Sequence, residues 1–317
     1  MASKDNLYPA IVIGLGMAGA GAAVYLSRMG VQPIAFEKGL IGGKLNESPK
    51  VEDYPGFKGS GLELSQRLKG QLAENEIEVH DEEVVSLDRD LDSNLFTIVT
   101  TKGEYKAYAV VIASGIEYGN PTISGMEDVD SSFVSHKPLA DALSIKGKGI
   151  VVWTDNDNGL YAAEYLAGFA KSLVLVVKDV SLVSKGLLDR ISGLGNVQLV
   201  PGIVSKVENV GAGQMVTING GTKGQESFEA SKLFAFVGGM FQKPNTAFVK
   251  IREVVDDQGN IAVDNFSRTF VKGLFAAGDV QQKDLRRLST AAADGAMAGI
   301  MAYDYVTDLR DSGKMKI

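Results

Sequence analysis

Cysteine is absent from the 317 residues. That absence removes structural disulfides, thiolate metal sites, cysteine nucleophiles and any redox-active dithiol within the chain. Histidine is scarce: only His80 and His136 occur, neither with a partner at metal-ligand spacing, so surface or turn roles are expected and a metal site is not. No apolar run reaches the roughly 18 residues that mark a membrane-spanning helix. Met1 to Leu7 lacks the apolar core of a secretory signal, so the expected location is cytoplasmic. Excess basic charge is missing too. A net charge of −7 argues against a general nucleic-acid or anionic-membrane binder, and would suit a partner with a basic face.

What is present is an ordinary globular composition, 45% hydrophobic and 22% charged, with length enough for two domains. The chain is organised around Ile11 to Glu37, IVIGLGMAGAGAAVYLSRMGVQPIAFE. An apolar run, a glycine turn, an alanine-rich helical stretch and a second apolar run ending in an acid read as strand, turn, helix, strand. Gly14, Gly16 and Gly19 stand in the order G-x-G-x-x-G. The first permits a tight turn, the second lets a pyrophosphate approach the backbone, and the third lets helix pack on strand. Glu37 closes the second strand, where an acid accepts hydrogen bonds from ribose hydroxyls. Together these features predict a dinucleotide site.

Two glycine-bearing loops follow, LIGGKL at Leu40 to Leu45 and VEDYPGF at Val51 to Phe57. Gly61 to Asn75 reads as an amphipathic helix and Ile77 to Thr101 as two or three strands. Ala107 to Ala113 is a buried-strand run that returns to the first sheet. A second strand-turn-helix-strand unit begins near Lys148, but its turn reads Trp153-Thr154-Asp155-Asn156-Asp157-Asn158 where a phosphate turn carries glycines. Asp155 and Asp157 are expected to cap the helix start and to repel a pyrophosphate. A run of strands is expected from there to Ile218. Near the C-terminus, GLFAAGDV places Gly278 and Asp279 at a strand end, and an alanine-rich helix is expected from about Gly295 to Leu309.

GLGMAGAGAAVYL, the acid of FEKG, IGGKL, VEDYPGF, VVIASG, PNT and LFAAGDV come in an order that resembles the low-molecular-weight thioredoxin reductases, from end to end. The resemblance implies an α/β fold of two Rossmann-like nucleotide-binding domains. A discontinuous FAD domain would comprise Met1 to Glu117 plus Thr246 to Ile317, with an inserted NAD(P)H-domain-like module over 118–245. It implies that Gly14, Gly16, Met17 and Ala18 lie along the FAD pyrophosphate and that Glu37 and Lys38 stand beside the adenosine ribose. Gly43, Lys44, Leu45 and Asp53 would lie near the ribityl chain and flavin, and Asp279 would hold a ribityl hydroxyl. Arg286, Arg287 and Leu288 would line the flavin's pyrimidine edge, with Ala113, Gly115 and Gly278 completing the set. Met17 stands where the family usually has proline, and Arg287 where it usually has glutamine.

Other departures bear on function. The redox-disulfide segment reads Lys137-Pro138-Leu139-Ala140-Asp141, the NADPH loop reads Trp153-Thr154-Asp155, and the basic cluster for a 2′-phosphate is reduced to Val177-Lys178-Asp179. Several functions stay open. One is a flavin oxidoreductase exchanging electrons with ferredoxin, flavodoxin, a second flavin or nucleotide in the central domain, or a small oxidant. Trp153 and Tyr161 are candidates to stack on such a flavin, and Lys283, Arg286 and Arg287 are a candidate basic patch for an acidic carrier. Others are an NAD(P)H-dependent flavin reductase of a small molecule and a non-catalytic FAD-containing binding protein. The expected assembly is a homodimer, and neither nucleic acid nor membrane is an expected partner.

Overall fold

The computed structural model describes residues 6–119, 121–211, 213–220, 224–237, 242–283 and 285–315. They fall into two units, one from the described residues of Met1–Asn46, Glu52–Glu117 and Lys243–Ile317, the other from those of Glu47–Val51 and Tyr118–Gln242. Each has its own Rossmann-like sheet, the fold class the sequence predicts. Among the described residues no helix is long and apolar enough to cross a membrane.

The chain starts the first unit with β1 (Leu7–Ile13), α1 (Met17–Arg28) and β2 (Ile34–Glu37). β1 and β2 pair in parallel, Ile11 opposite Ile34. Ala10 to Ile13 are buried throughout, which is why the run is continuously apolar instead of alternating. α2 (Gly61–Glu74) starts at Ser60, whose hydroxyl accepts the Glu63 N–H at 3.1 Å. Then come β3 (Glu78–Asp81), β4 (Val84–Arg89), β5 (Phe96–Thr100) and β6 (Glu104–Ile112), and the chain leaves as β7 (Ile116–Tyr118). β6 returns beside β1, with Ile112 opposite Ile13. The resulting order is β3-β2-β1-β6-β5-β4.

The second unit holds β8 (Val134–Ser135), α3 (Pro138–Asp141), β9 (Gly149–Thr154), α4 (Asp157–Ala167), β10 (Ser172–Val177) and α5 (Lys185–Ser192). β11 (Val197–Val210), β12 (Gly213–Gly220), β13 (Gln225–Ala230) and β14 (Leu233–Phe236) complete a sheet ordered β13-β12-β11-β10-β9-β14-β8. α5 replaces part of the expected run of strands. Its buried Leu187, Leu188 and Ile191 recur at helical spacing after Ser184, and that face closes the core around α4.

β15 (Gln242–Pro244) leads back, and β16 (Leu274–Ala276) pairs with the C-terminal half of β6, Ala276 opposite Ile112. α6 (Leu288–Asp311) begins earlier than the sequence suggests and runs along α1. A Cβ at Gly295 would stand 2.1 Å from the Ala18 carbonyl oxygen, and one at Gly299 2.7 Å from that of Ala22. Only glycine lets the two backbones meet so closely. Because these pairs advance together, the helices are parallel, and the first two turns of α6 project about 10 Å beyond the start of α1.

Candidate functional site

The C-terminal ends of β2, β1, β6 and β16 form one edge of the first unit, with the start of α1 at its centre. Gly14 leaves β1 at φ +91°, and a Cβ there would stand 2.6 Å from the Ala113 carbonyl oxygen beyond the end of β6. Gly19 is held as tightly, since its Cβ would stand 1.8 Å from the Gly14 carbonyl oxygen. Gly16 differs. A Cβ there would meet nothing within 4 Å, although one at Gly43 would come within 3.6 Å of Gly16 Cα. Gly16 is the N-cap of α1 and gives no side-chain cap, and the first turn, which holds Met17 and Ala18, carries no acid. The first N–H groups of α1 thus have no side-chain cap, and with the helix dipole behind them they form the arrangement that attracts an anion.

Glu37 closes β2 with its carboxylate already aligned. Oε2 accepts the Leu15 N–H at 2.7 Å and Oε1 the Gly39 N–H at 2.9 Å. Each oxygen retains a further lone pair for a hydroxyl donor. Gly42 and Gly43 turn at φ +100° and +52°, so that the Gly42 N–H reaches the Leu15 carbonyl at 2.7 Å while Leu45 is buried beneath them. The Leu40–Leu45 loop therefore lies against the glycine turn.

On the other side of β1, Gly278 follows β16 at φ +78°, and a Cβ there would stand 2.7 Å from Ala18 Cβ. That contact seats Asp279 beside the start of α1. Asp279 Oδ1 is buried and has no hydrogen-bond partner among the described residues. Burial pushes its carboxyl above the usual carboxylate range, opposed by the positive charges of Lys283, Arg286 and Lys44 and reinforced by Asp294. A buried oxygen left so is costly unless a ligand donates to it. Arg286 is fixed, with Nε donating to the Asp279 carbonyl at 3.2 Å and a terminal nitrogen donating to Asn260 Oδ1 at 3.0 Å. Arg287 caps α6 with its backbone, its N–H donating to Thr290 Oγ1 at 3.1 Å, and Leu288 opens the helix.

Some predicted residues turn elsewhere. Asp53 is exposed on the loop Glu52 to Lys58. Lys38 is an ion-pair partner of Glu117 at 3.0 Å and Glu83 at 3.6 Å. Gly115, at φ +66°, accepts the Asn245 N–H at 2.9 Å. The basic patch is largely spent internally: Lys283 pairs with Asp294, and Arg286 is bonded as described. Asp294 and Asn260 are the residues the sequence reading misses. Asp294 also accepts the Gly278 N–H at 3.2 Å, and the signal that marks it is a lone acid in the alanine-rich start of α6. His80 lies at 5.2 Å from the Phe36 ring and 5.6 Å from that of Tyr105, while His136 stacks on Tyr118 at 5.2 Å, so both rings pack instead of standing free in turns.

The second unit has the same strand-turn-helix plan with the turn closed. Asn156, extended at φ −151° and ψ 166°, caps α4 by accepting the Gly159 N–H at 3.3 Å, and its Nδ2 donates to the Phe236 carbonyl at 2.7 Å. The two aspartates are not the caps. Asp155 accepts from Asn156 Nδ2 at 2.8 Å, and Asp157 takes the Ser184 N–H at 2.8 Å and hydroxyl at 2.5 Å. Trp153 and Tyr161 are buried in separate cores on opposite faces of the sheet, so they form no common stacking platform. Lys137 to Asp141 form α3 with its preceding residue, and Asp141 is paired to Lys232 at 3.0 Å.

Comparison with known proteins gives one family model, pyridine nucleotide-disulphide oxidoreductase, matching residues 8–295. A thioredoxin reductase from Listeria monocytogenes is 32% identical over 98% of this chain and 98% of its own. The crystal structure of Lactococcus lactis thioredoxin reductase superposes with a TM-score of 0.87, at 27% identity, over 95% of this chain and all (100%) of that one. A ferredoxin-flavin thioredoxin reductase from Clostridium acetobutylicum shares the fold at 23% identity and a TM-score of 0.53, covering 96% and 99% of the two chains.

Proposed function

We propose, from the premise that the chain belongs to the pyridine nucleotide-disulphide oxidoreductase family and is a thioredoxin reductase-like FAD oxidoreductase within it, that it exchanges electrons with a partner other than a pyridine nucleotide or a dithiol of its own. The observation that carries this reading is the contrast between the two helix starts. α1 offers uncapped N–H groups beside a glycine with open space in front of it, whereas α4 is capped by Asn156 and flanked by acids.

The residues of the first unit fit FAD. The start of α1 and Gly16 would take the pyrophosphate, Glu37 the adenosine ribose, and the orphaned Asp279 Oδ1 a hydroxyl of the ribityl chain. When bound, FAD supplies one- and two-electron transfer. The chain's own contribution is to orient it. Leu15 and Gly39 hold Glu37 in place, Asp294 holds the Gly278 turn, and Arg286 holds Asp279 through its carbonyl. A ferredoxin or flavodoxin, a second flavin or a small oxidant is the electron partner this reading takes, since no cysteine exists to relay electrons.

Anaerobic mixing of the purified yellow protein with NADH, NADPH, or reduced ferredoxin or flavodoxin tests it. Bleaching of the flavin by the carrier protein is expected, with nucleotide reduction far below ordinary turnover of about 10 per second. Reduction by either nucleotide at that rate would identify an NAD(P)H-dependent reductase instead. A flavin bleached by dithionite and by none of these donors would point to a binding protein.

A further inference from the structure

Among the cations at positions 283, 286 and 287, two have partners: Lys283 pairs with Asp294, and Arg286 donates to Asn260 and to backbone carbonyls. The Arg287 guanidinium makes no hydrogen bond or ion pair with the described residues, and the side chain is half-buried. A half-buried guanidinium without an acceptor needs something to face.

The sheet order says what. A dinucleotide lies across the C-terminal ends of the strands, with its pyrophosphate at the start of α1 and its adenosine at Glu37 on β2. Its other half therefore extends the opposite way, over β6 and β16, to Asp279. Just there the first turns of α6 reach beyond the start of α1, with Arg287 at their tip. For FAD that half ends in the flavin. Resting on the FAD reading above, we infer that Arg287 faces the flavin ring and raises its reduction potential. Reduction adds two electrons and, in the anionic form, one proton, leaving one negative charge on the ring, and an adjacent guanidinium stabilises that charge. Around Asp279 stand the charges of Lys283, Arg286, Lys44 and Asp294, while Asp284, three positions before Arg287 in the sequence, lies outside the described residues. Among the described residues, Arg287 is the cation of the three whose charge meets no hydrogen-bond or ion-pair partner.

The test compares wild type with Arg287→Gln and Arg287→Lys, each with FAD counted per chain, by dye-coupled potential titration and by sulfite binding. Sulfite adds covalently to the oxidised ring and leaves a negative charge on it, so it reads the same stabilisation without any turnover. Arg287→Gln is expected to bind sulfite about tenfold more weakly, equivalent to about 30 mV on the two-electron potential, and Arg287→Lys to recover most of the loss. Should the Gln variant lose its FAD, Arg287→Met reads the same quantity. A Gln or Met variant with full FAD and unaltered sulfite affinity and potential overturns the inference while leaving the FAD reading intact. A Lys variant no better than Gln overturns the role of charge. A wild-type chain that takes up no FAD overturns both.

Discussion

Replacing Gly16 with valine puts a branched side chain into the space before α1, where a Cβ meets no atom within 4 Å. The backbone tolerates the change, because φ −69° and ψ −169° are open to any residue. Loss of glycine at this N-cap costs at most about 1 kcal/mol, so the urea midpoint of the apoprotein should barely move. A bound pyrophosphate would have to give way, and overpacking of that kind costs about 1–3 kcal/mol. At about 1.4 kcal/mol per decade, FAD affinity should fall ten- to hundredfold. Gly19→Ala is the control with the opposite signature. Its Cβ would stand 1.8 Å from the Gly14 carbonyl oxygen, so α1 must lift from β1 and the apoprotein must lose stability. Flavin-fluorescence quenching on titrating apoprotein with FAD, beside urea melts followed by circular dichroism, separates the two effects. A folded Gly16→Val protein with unaltered FAD affinity would refute the reasoning, as would one whose stability falls together with its affinity.

Thioredoxin should not be reduced by the isolated protein through an internal dithiol, because a thiolate is the required nucleophile and the chain contains no cysteine; turnover of oxidised thioredoxin in a thiol-free assay would contradict this. Asp279→Asn should weaken FAD binding yet make the apoprotein more stable at neutral pH, by on the order of 1 kcal/mol, because it removes the negative charge that burial penalises. Burial raises the folded pKa of Asp279 above its unfolded value, so between the two the native state keeps a proton that the unfolded chain has lost and stability falls as pH rises through that window. The advantage of the variant in urea melts must therefore shrink towards acid pH, and a gap independent of pH would count against it.

How much of this was legible in the sequence depends on how far apart the participants are. β1 and β6 declare themselves as apolar runs because both faces of the first sheet are covered. The glycine turn is equally plain, since Gly14, Gly16 and Gly19 do their work within one turn of chain. Asp294 and Asn260 were missed because their partners are distant in sequence: Asp294 lies 16 residues from Gly278, and Asn260 lies 26 from Arg286. Nothing local marks either residue as belonging to a site. The caps of α4 were displaced by one residue for another reason. Asn, Asp and Ser cap comparably well, so the choice among neighbours is made by which residue has extended backbone, and that is Asn156.

The two turns also separate what a fold needs from what a ligand needs. Gly159 opens α4 much as Gly19 sits in α1: a Cβ on it would stand 2.2 Å from Thr154 Oγ1 and 2.8 Å from Phe236 Cβ. Close packing of helix on strand therefore demands glycine in the second unit too, whatever it binds. The glycine with open space in front of it has no counterpart there. Its place is taken by Thr154 and Asn156, whose side chains spend their hydrogen bonds on the carbonyl of Phe236. A helix start whose polar groups are satisfied from within gains nothing from a phosphate and must lose those bonds to admit one. In α1 the N–H groups have no side-chain cap, and binding an anion there replaces only water. The second turn is thus complete as it stands, while the first turn has no side-chain cap and the buried Oδ1 of Asp279 has no hydrogen-bond partner among the described residues.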